Sequence, residues 1–258
     1  MRLVAWLVPV VATAASIAAL AQSAPPDPQA ILAATREALG GEKKLSAVKT
    51  IVATGRTQQI RGNNLVPIEF EIDIELPDKY VRKDEIPAQE SGPSTAGFNG
   101  EKLIQTQAPA VKQDFARLTL GMFAASFAGY PLTFTYAGQA EAPQGKADVL
   151  DVKGAPNQTM RLFIAQDTHL PIMVSWIAPV PPARGGPPGR GGPSPAAAAP
   201  AAPAAPQETR LYFADYRDVD GMKWPFRLRR ALGAETVEET TFDRFRVNAK
   251  IDARKFQP

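Results

Sequence analysis

The clearest pattern in the chain is Ile68-Glu-Phe-Glu-Ile-Asp-Ile-Glu-Leu76. There Ile68, Phe70, Ile72, Ile74 and Leu76 alternate with Glu69, Glu71, Asp73 and Glu75. Period two predicts an antiparallel strand with one buried and one solvated face. Pro77-Asp-Lys79 turns it into a strand at 80–83, and Asn99-Gly100, between strands at 96–98 and 102–104, predicts a hairpin with a type I′ turn. Further strands are expected at 50–59, 132–136, 149–152, 160–164, 172–177, 209–216, 222–230 and 236–247. Turn residues separate them at 166–169, 217–221 and 232–233. Pro225 falls on the polar parity of its strand and calls for an edge or bulged position.

Two stretches leave this rhythm. Asp27 is a good N-cap and Pro28 suits the first helical position. Ile31, Leu32, Thr35 and Leu39 then keep one apolar stripe until Gly40-Gly41 ends the helix, and a short turn of helix follows at 42–48. In 108–130, Val111, Phe115, Leu118, Leu120, Met122, Phe123 and Phe127 cover a wide arc, with no charge after Arg117. A helix apolar over so much of its circumference lies against a large apolar surface. Gly121 and Gly129 weaken it, so two short helices or a mobile one are expected. About ten strands in meander order, with helices at the start and middle, describe an α+β fold. Its expected architecture is a single curved antiparallel sheet wrapping helices that cover its concave face.

The N-terminus belongs to neither pattern. Arg2, an apolar run from Leu3 to Leu20 and Ala19-Leu-Ala21 are the three regions of a secretory signal peptide, 1–21. The rival is an uncleaved anchor, but Pro9 and the small residues favour cleavage. The mature chain, 22–258, is then expected in the periplasm, without a stable membrane span. No Cys follows the signal, so the protein is not itself a lipoprotein. The segment 178–207 also stands apart, with ten Pro, ten Ala and five Gly in thirty residues. Such composition cannot offset its ordering entropy, and flanking strands make it an insertion in one domain rather than a linker. Its Arg184 and Arg190 are far short of a polybasic patch.

Composition removes several chemistries. With no cysteine and one histidine, thiolate zinc, Fe–S clusters, cysteine nucleophiles and His-rich metal sites are excluded. The balance of 29 Lys+Arg against 26 Asp+Glu gives no nucleic-acid footprint. His169 lies in a turn and lacks a Gly-x-Ser-x-Gly elbow or partnered nucleophile. Glu69, Glu71, Asp73 and Glu75 form a solvated row with side chains about 6.5–7 Å apart, no loop for a cation. Asp215, Asp218 and Asp220 before Gly221 lack the distal Glu of an EF-hand loop and read as a turn. No catalytic residue, metal or cofactor is therefore expected. What remains is the apolar face. Phe70, Ile72, Ile74, Leu211, Phe213, Trp224 and Phe226 are expected to line a cavity, with Phe115, Leu118 and Met122 as its lid. A filled core is the alternative.

Ala38-Leu-Gly-Gly41-Glu-Lys-Lys-Leu45, running into Ile51-Val-Ala-Thr-Gly55, resembles the opening of exported LolA/LolB-like proteins, also called outer-membrane lipoprotein-sorting proteins. Leu76-Pro-Asp-Lys-Tyr80, Gly97-Phe-Asn-Gly-Glu-Lys-Leu103 and Tyr216-Arg-Asp-Val-Asp-Gly-Met-Lys-Trp-Pro-Phe226 are similar to the same family. The resemblance implies an incomplete antiparallel barrel around helices, with an apolar cavity for acyl chains of lipids or lipoproteins. It also implies a basic residue that holds the lid, for which Arg56 and Arg61 are the candidates on or beside the first strand. Three functions follow: a non-enzymatic carrier, a regulatory or scaffolding module that contacts envelope proteins, and a hydrolase built on His169. The last lacks partners for its histidine.

Overall fold

The computed structural model describes residues 25–62, 64–87, 89, 92–104, 110–127, 129–142, 145–154, 158–178 and 206–257. The expected signal peptide and most of the expected insertion lie outside the described residues. Helix α1 (Pro28–Ala38) begins where the Asp27 carboxylate accepts the Gln29 N–H at 3.0 Å. Leu32, Thr35 and Leu39 form its buried stripe, as their spacing requires. After Gly40-Gly41 comes the short α2 (Glu42–Ala47).

The strands are β1 (Thr50–Arg61), β2 (Asn64–Glu75), β3 (Lys79–Glu85), β4 (Ser94–Asn99) and β5 (Lys102–Ile104), then β6 (Leu132–Ala142), β7 (Gly145–Gly154), β8 (Gln158–Ala165) and β9 (Pro171–Ala178). The last three are β10 (Gln207–Val219), β11 (Met222–Leu232) and β12 (Glu235–Val247). Helix α3 (Val111–Phe123) stands between β5 and β6. Among the described residues these twelve strands form one antiparallel sheet in the order β5-β4-β3-β2-β1-β12-β11-β10-β9-β8-β7-β6. Sequential hairpins supply most neighbours, and β1–β12 joins the first half of the sheet to the second. Among the described residues the sheet does not close: β5 and β6 are its edges, and α3 lies between them in the chain.

α3 is one helix despite Gly121, because that glycine has a packing role. A Cβ there would overlap the Phe213 ring on β10, so glycine sets how closely the helix approaches the sheet. Its other side chains reach both halves of the sheet. Phe115 packs on Phe98 of β4 at 5.2 Å, and Phe123 on Trp224 of β11 at 5.6 Å, between ring centres.

Two turns differ in detail from the sequence reading. In the β4–β5 hairpin Asn99 pairs with Lys102, so the loop is Gly100-Glu101, one residue later than expected. Of the two only Gly100 has positive φ, whereas a type I′ turn needs it at both positions. The true I′ geometry is at Asp220-Gly221, with φ of 56° and 73°, which lets β10 continue to Val219 through the residues expected to turn. Pro225 lies in an interior strand, yet the local edge is real: β12 pairs with β11 only from Arg227 onward among the described residues. The Lys223 N–H, left free by that splay, donates to Leu39 O at 2.8 Å.

The outer face of β2 requires a correction. The acidic row is not uniformly solvated, because Asp73 is only 3% exposed. A short 3-10 helix (Ala253–Phe256) lies over it and buries Phe256 with Val81 and Ile104. Lys255 Nζ meets Glu71 at 2.7 Å and Asp73 at 2.8 Å. Burial pushes the Asp73 carboxyl up against the pull of Lys255, while the hydrogen bond from Lys255 holds Glu71 below the usual range.

Candidate functional site

Strand parity and α3 bring all ten expected cavity and lid residues into one buried cluster. Most are tightly packed against neighbours. Phe70 meets Phe242 edge-on at 5.5 Å, Phe213 lies against Gly121, and Phe226 meets Phe245 at 5.2 Å. Trp224 is held between Phe123 and Phe245, and Phe115 contacts Tyr80, Phe98 and Tyr130. Ile74 and Met122 are buried in the same cluster. Ile72, Leu118 and Leu211 are different: they line a cavity of about 370 Å³.

Val111, Leu228, Phe242, Ala96 and Ala110 also belong to the apolar lining. Its other wall is charged, and alternation along the strands explains why. On β3 the cavity-facing parity runs Tyr80, Arg82, Asp84; on β11 it runs Leu228, Arg230; on β12 it runs Phe242, Thr240, Glu238. All change from apolar to polar toward one end of the sheet, where α3 begins with Asp114 in its first turn.

Arg82 is the centre of this rim. Its Nε donates to Asp84 at 2.7 Å, its Nη2 donates to Thr57 Oγ1 at 3.1 Å, and its guanidinium lies 4.6 Å from the Phe70 ring centre. Thr57 in turn shares a 2.9 Å hydroxyl bond with Thr240. Burial works against the Arg82 charge, but Tyr80, Asp84 and Glu238 outweigh it and raise its pKa further. Arg230 spans helix and sheet: Nη1 donates to Asp114 at 3.4 Å, and Nε lies 3.8 Å from Glu238 without a hydrogen-bond partner.

The basic residues that face the cavity are therefore Arg82 and Arg230, which the sequence reading did not single out. Arg56 is exposed and paired with Asp243 at 3.2 Å, and Arg61 is exposed and bonded to Gln59. The signal for Arg82 was present in parity: it is two residues from Tyr80 and shares its face. His169 is an exposed turn residue with φ of 55°, and its N–H donates to Ala165 O at 2.9 Å. Asp215 is held by Arg217, and Asp218 accepts the Gly221 N–H at 2.9 Å, so both serve their hairpin. Among the described residues no three His, Cys, Asp or Glu side chains converge to hold a metal.

No protein-family model and no curated protein matches this chain. Solved structures do. A LolA superfamily protein from Nitrosomonas europaea is 13% identical with a TM-score of 0.55, over 90% of this chain and 97% of its own. The fold is LolA-like. A domain described as an outer membrane lipoprotein-sorting protein from Vibrio parahaemolyticus is 10% identical with a TM-score of 0.50, over 89% of this chain and 97% of its own. A DUF1329 family protein from Desulfovibrio piger is 9% identical with a TM-score of 0.50, over 90% of this chain and 98% of its own. In this LolA-like chain no described helix is long and apolar enough to cross a membrane.

Proposed function

We propose that the chain is a non-enzymatic periplasmic protein that binds an acyl chain of a lipid or lipoprotein, with α3 as the cover of the concave face. The observation that carries this reading is the cavity beside α3, apolar along Ile72, Leu118, Leu211, Leu228 and Phe242 and charged at one end. Each methylene it takes from water contributes about 0.8 kcal/mol. At about 370 Å³ it lies near the lower bound of ligand pockets, roughly 300–1,000 Å³, and suits one chain rather than several. Acyl carbons fit the apolar wall, and an ester or amide fits the end where Arg82 and Arg230 offer donors. The contact between Asp114 of α3 and Arg230 of β11 makes the rim the place where cover and sheet part.

Native mass spectrometry of the protein purified from its own periplasm tests this. A co-purifying lipid is expected, and Leu118→Asp is expected to remove it while circular dichroism retains the strand signal. Ligand-free protein across independent preparations would contradict the carrier reading and favour a module that senses or scaffolds envelope proteins.

A further inference from the structure

The large apolar side chains left exposed among the described residues are not scattered. They are Leu65 and Ile177, 63% and 62% exposed, and Ile60 and Leu232, 38% each. Strand register collects them. Ile60 pairs with Leu65 across β1 and β2, Gln59 with Glu238 across β1 and β12, and Leu232 with Glu235 across β11 and β12. Thr209 pairs with Leu232, and Glu208 with Ile177, which carries the row through β10 to β9. All four therefore lie at or next to a strand end, at one end of six consecutive strands. The hairpins at the opposite end turn through polar residues, Asp78 between β2 and β3 and Asp220 between β10 and β11.

The same end carries the charged rim of the cavity beside α3. Gln59 lines that cavity next to Ile60, and Arg230 lines it two residues before Leu232. Ile60, Leu65 and Ile177 take the outer parity, alternate to cavity-lining Gln59 and core Trp176, whereas Leu232 takes the inner one. Apolar side chains thus flank the rim on both faces, as a fringe that meets a surface end-on. At about 4.8 Å per strand the fringe is roughly 24 Å long, and polar strand ends such as Glu235 interrupt it. A stable protein interface buries a continuous core of about 800 Å² on each partner, which side chains on separate strand ends do not supply. A fluid lipid surface accepts separate points of insertion.

We propose that this end of the sheet docks on a lipid surface, the four side chains entering its apolar layer and setting the cavity against the source of its ligand. An acyl chain is costly to expose to water, and a rim held at the membrane spares it that passage. Charge at this end is mixed, with Arg61 and Glu235 both exposed, so apolar burial rather than net charge supplies the attraction. The purpose of docking rests on the acyl-chain reading, whereas the docking itself does not.

Co-sedimentation with phosphatidylcholine vesicles, with and without phosphatidylglycerol, tests it. The mature protein is expected to bind both, with little change between low and high salt. Leu65→Ser is expected to weaken binding about tenfold, the scale of withdrawing one leucine from an apolar phase, and Ile177→Ser similarly. Lys43→Gln, on α2 at the opposite end where Lys44 meets Gly221, is expected to change nothing. Photo-crosslinking to a fatty acid in solution separates the two readings. Leu65→Ser is expected to keep that label, while Leu118→Asp loses it and still binds vesicles. Vesicle binding by a protein that takes no fatty acid supports docking and overturns the acyl-chain reading alone. Binding that needs phosphatidylglycerol and vanishes at high salt, or that both serine variants leave intact, overturns docking. So does a lack of vesicle binding, which would leave the fringe to a protein partner.

Discussion

The cavity-facing parity of the sheet has two regions built by one rule with opposite chemistry. Around Trp224 every second residue is aromatic or aliphatic, and rings from β11, β12 and α3 fill the space between sheet and helix. Around Arg82 the same alternation delivers Arg82, Asp84, Thr57, Thr240, Glu238 and Arg230, and a cavity remains. The difference teaches what each region is for. Close-packed rings gain dispersion and lose water but leave nothing for a ligand to fill. Buried ion pairs roughly break even against their desolvation, so the charged end adds little stability and keeps a polar surface beside an apolar wall.

The largest expected effect comes from the packed region. Trp224→Ala removes a ring held between Phe123 and Phe245 and should lower unfolding free energy by about 3–5 kcal/mol in urea titrations. A loss below about 1 kcal/mol would mean that this region is loosely packed and that the contrast with the rim is false.

Arg82→Met tests the other side. It leaves Asp84 without its partner but keeps an apolar side chain over Phe70, and both charges are partly exposed. A loss of about 1–2 kcal/mol is expected, distinctly less than for Trp224→Ala. Acyl-chain binding should fall by more than stability accounts for, since the donor at the rim is gone. Equal losses of stability and binding would make Arg82 a purely structural residue.

A smaller effect isolates the outer face, which shares the sheet but not the cavity. Lys255→Met leaves Asp73 buried without its cation and should cost about 1 kcal/mol at pH 7, because Lys255 is itself half-exposed. The sign with pH follows from the two carboxylates. The Asp73 pKa is raised on folding, so its charge opposes folding above that pKa, and Lys255 relieves the penalty only while Asp73 is ionised. The Glu71 pKa is lowered, so its contribution is present above the unfolded value and is lost as pH falls through the folded one. The deficit of Lys255→Met should therefore shrink as the pH falls and Asp73, then Glu71, takes up its proton, measured by urea titration at each pH. A deficit constant with pH would remove the buried pair from the account.

Much of this was legible in the chain, for a physical reason. Alternation at 68–76 predicts which side of β2 is buried because side chains of a strand alternate faces, and the Asp27-Pro28 start of α1 follows from local capping. Parity also carried Arg82, two residues beyond Tyr80, but a charge on an apolar face is legible only when the partners that neutralise it are known. Those partners, Asp84, Thr57 and Glu238, sit on three strands. Lys255 meeting Asp73 is a contact between residues 182 apart, made by the 3-10 helix Ala253–Phe256, and no local pattern encodes it. Nor does spacing distinguish the residues that fill a core from those that border a cavity: Ile72 and Ile74 belong to one stripe, and only Ile72 lines the space. That distinction depends on the volumes of side chains from α3, β10 and β12.

The most direct measurement is photo-crosslinking of the mature protein with a diazirine-labelled fatty acid, followed by peptide mapping. Label is expected on the segments carrying Ile72, Leu118 and Leu211, abolished by excess unlabelled fatty acid and by Leu118→Asp. Label that spares these three segments, or that survives Leu118→Asp unchanged, would contradict the acyl-chain reading.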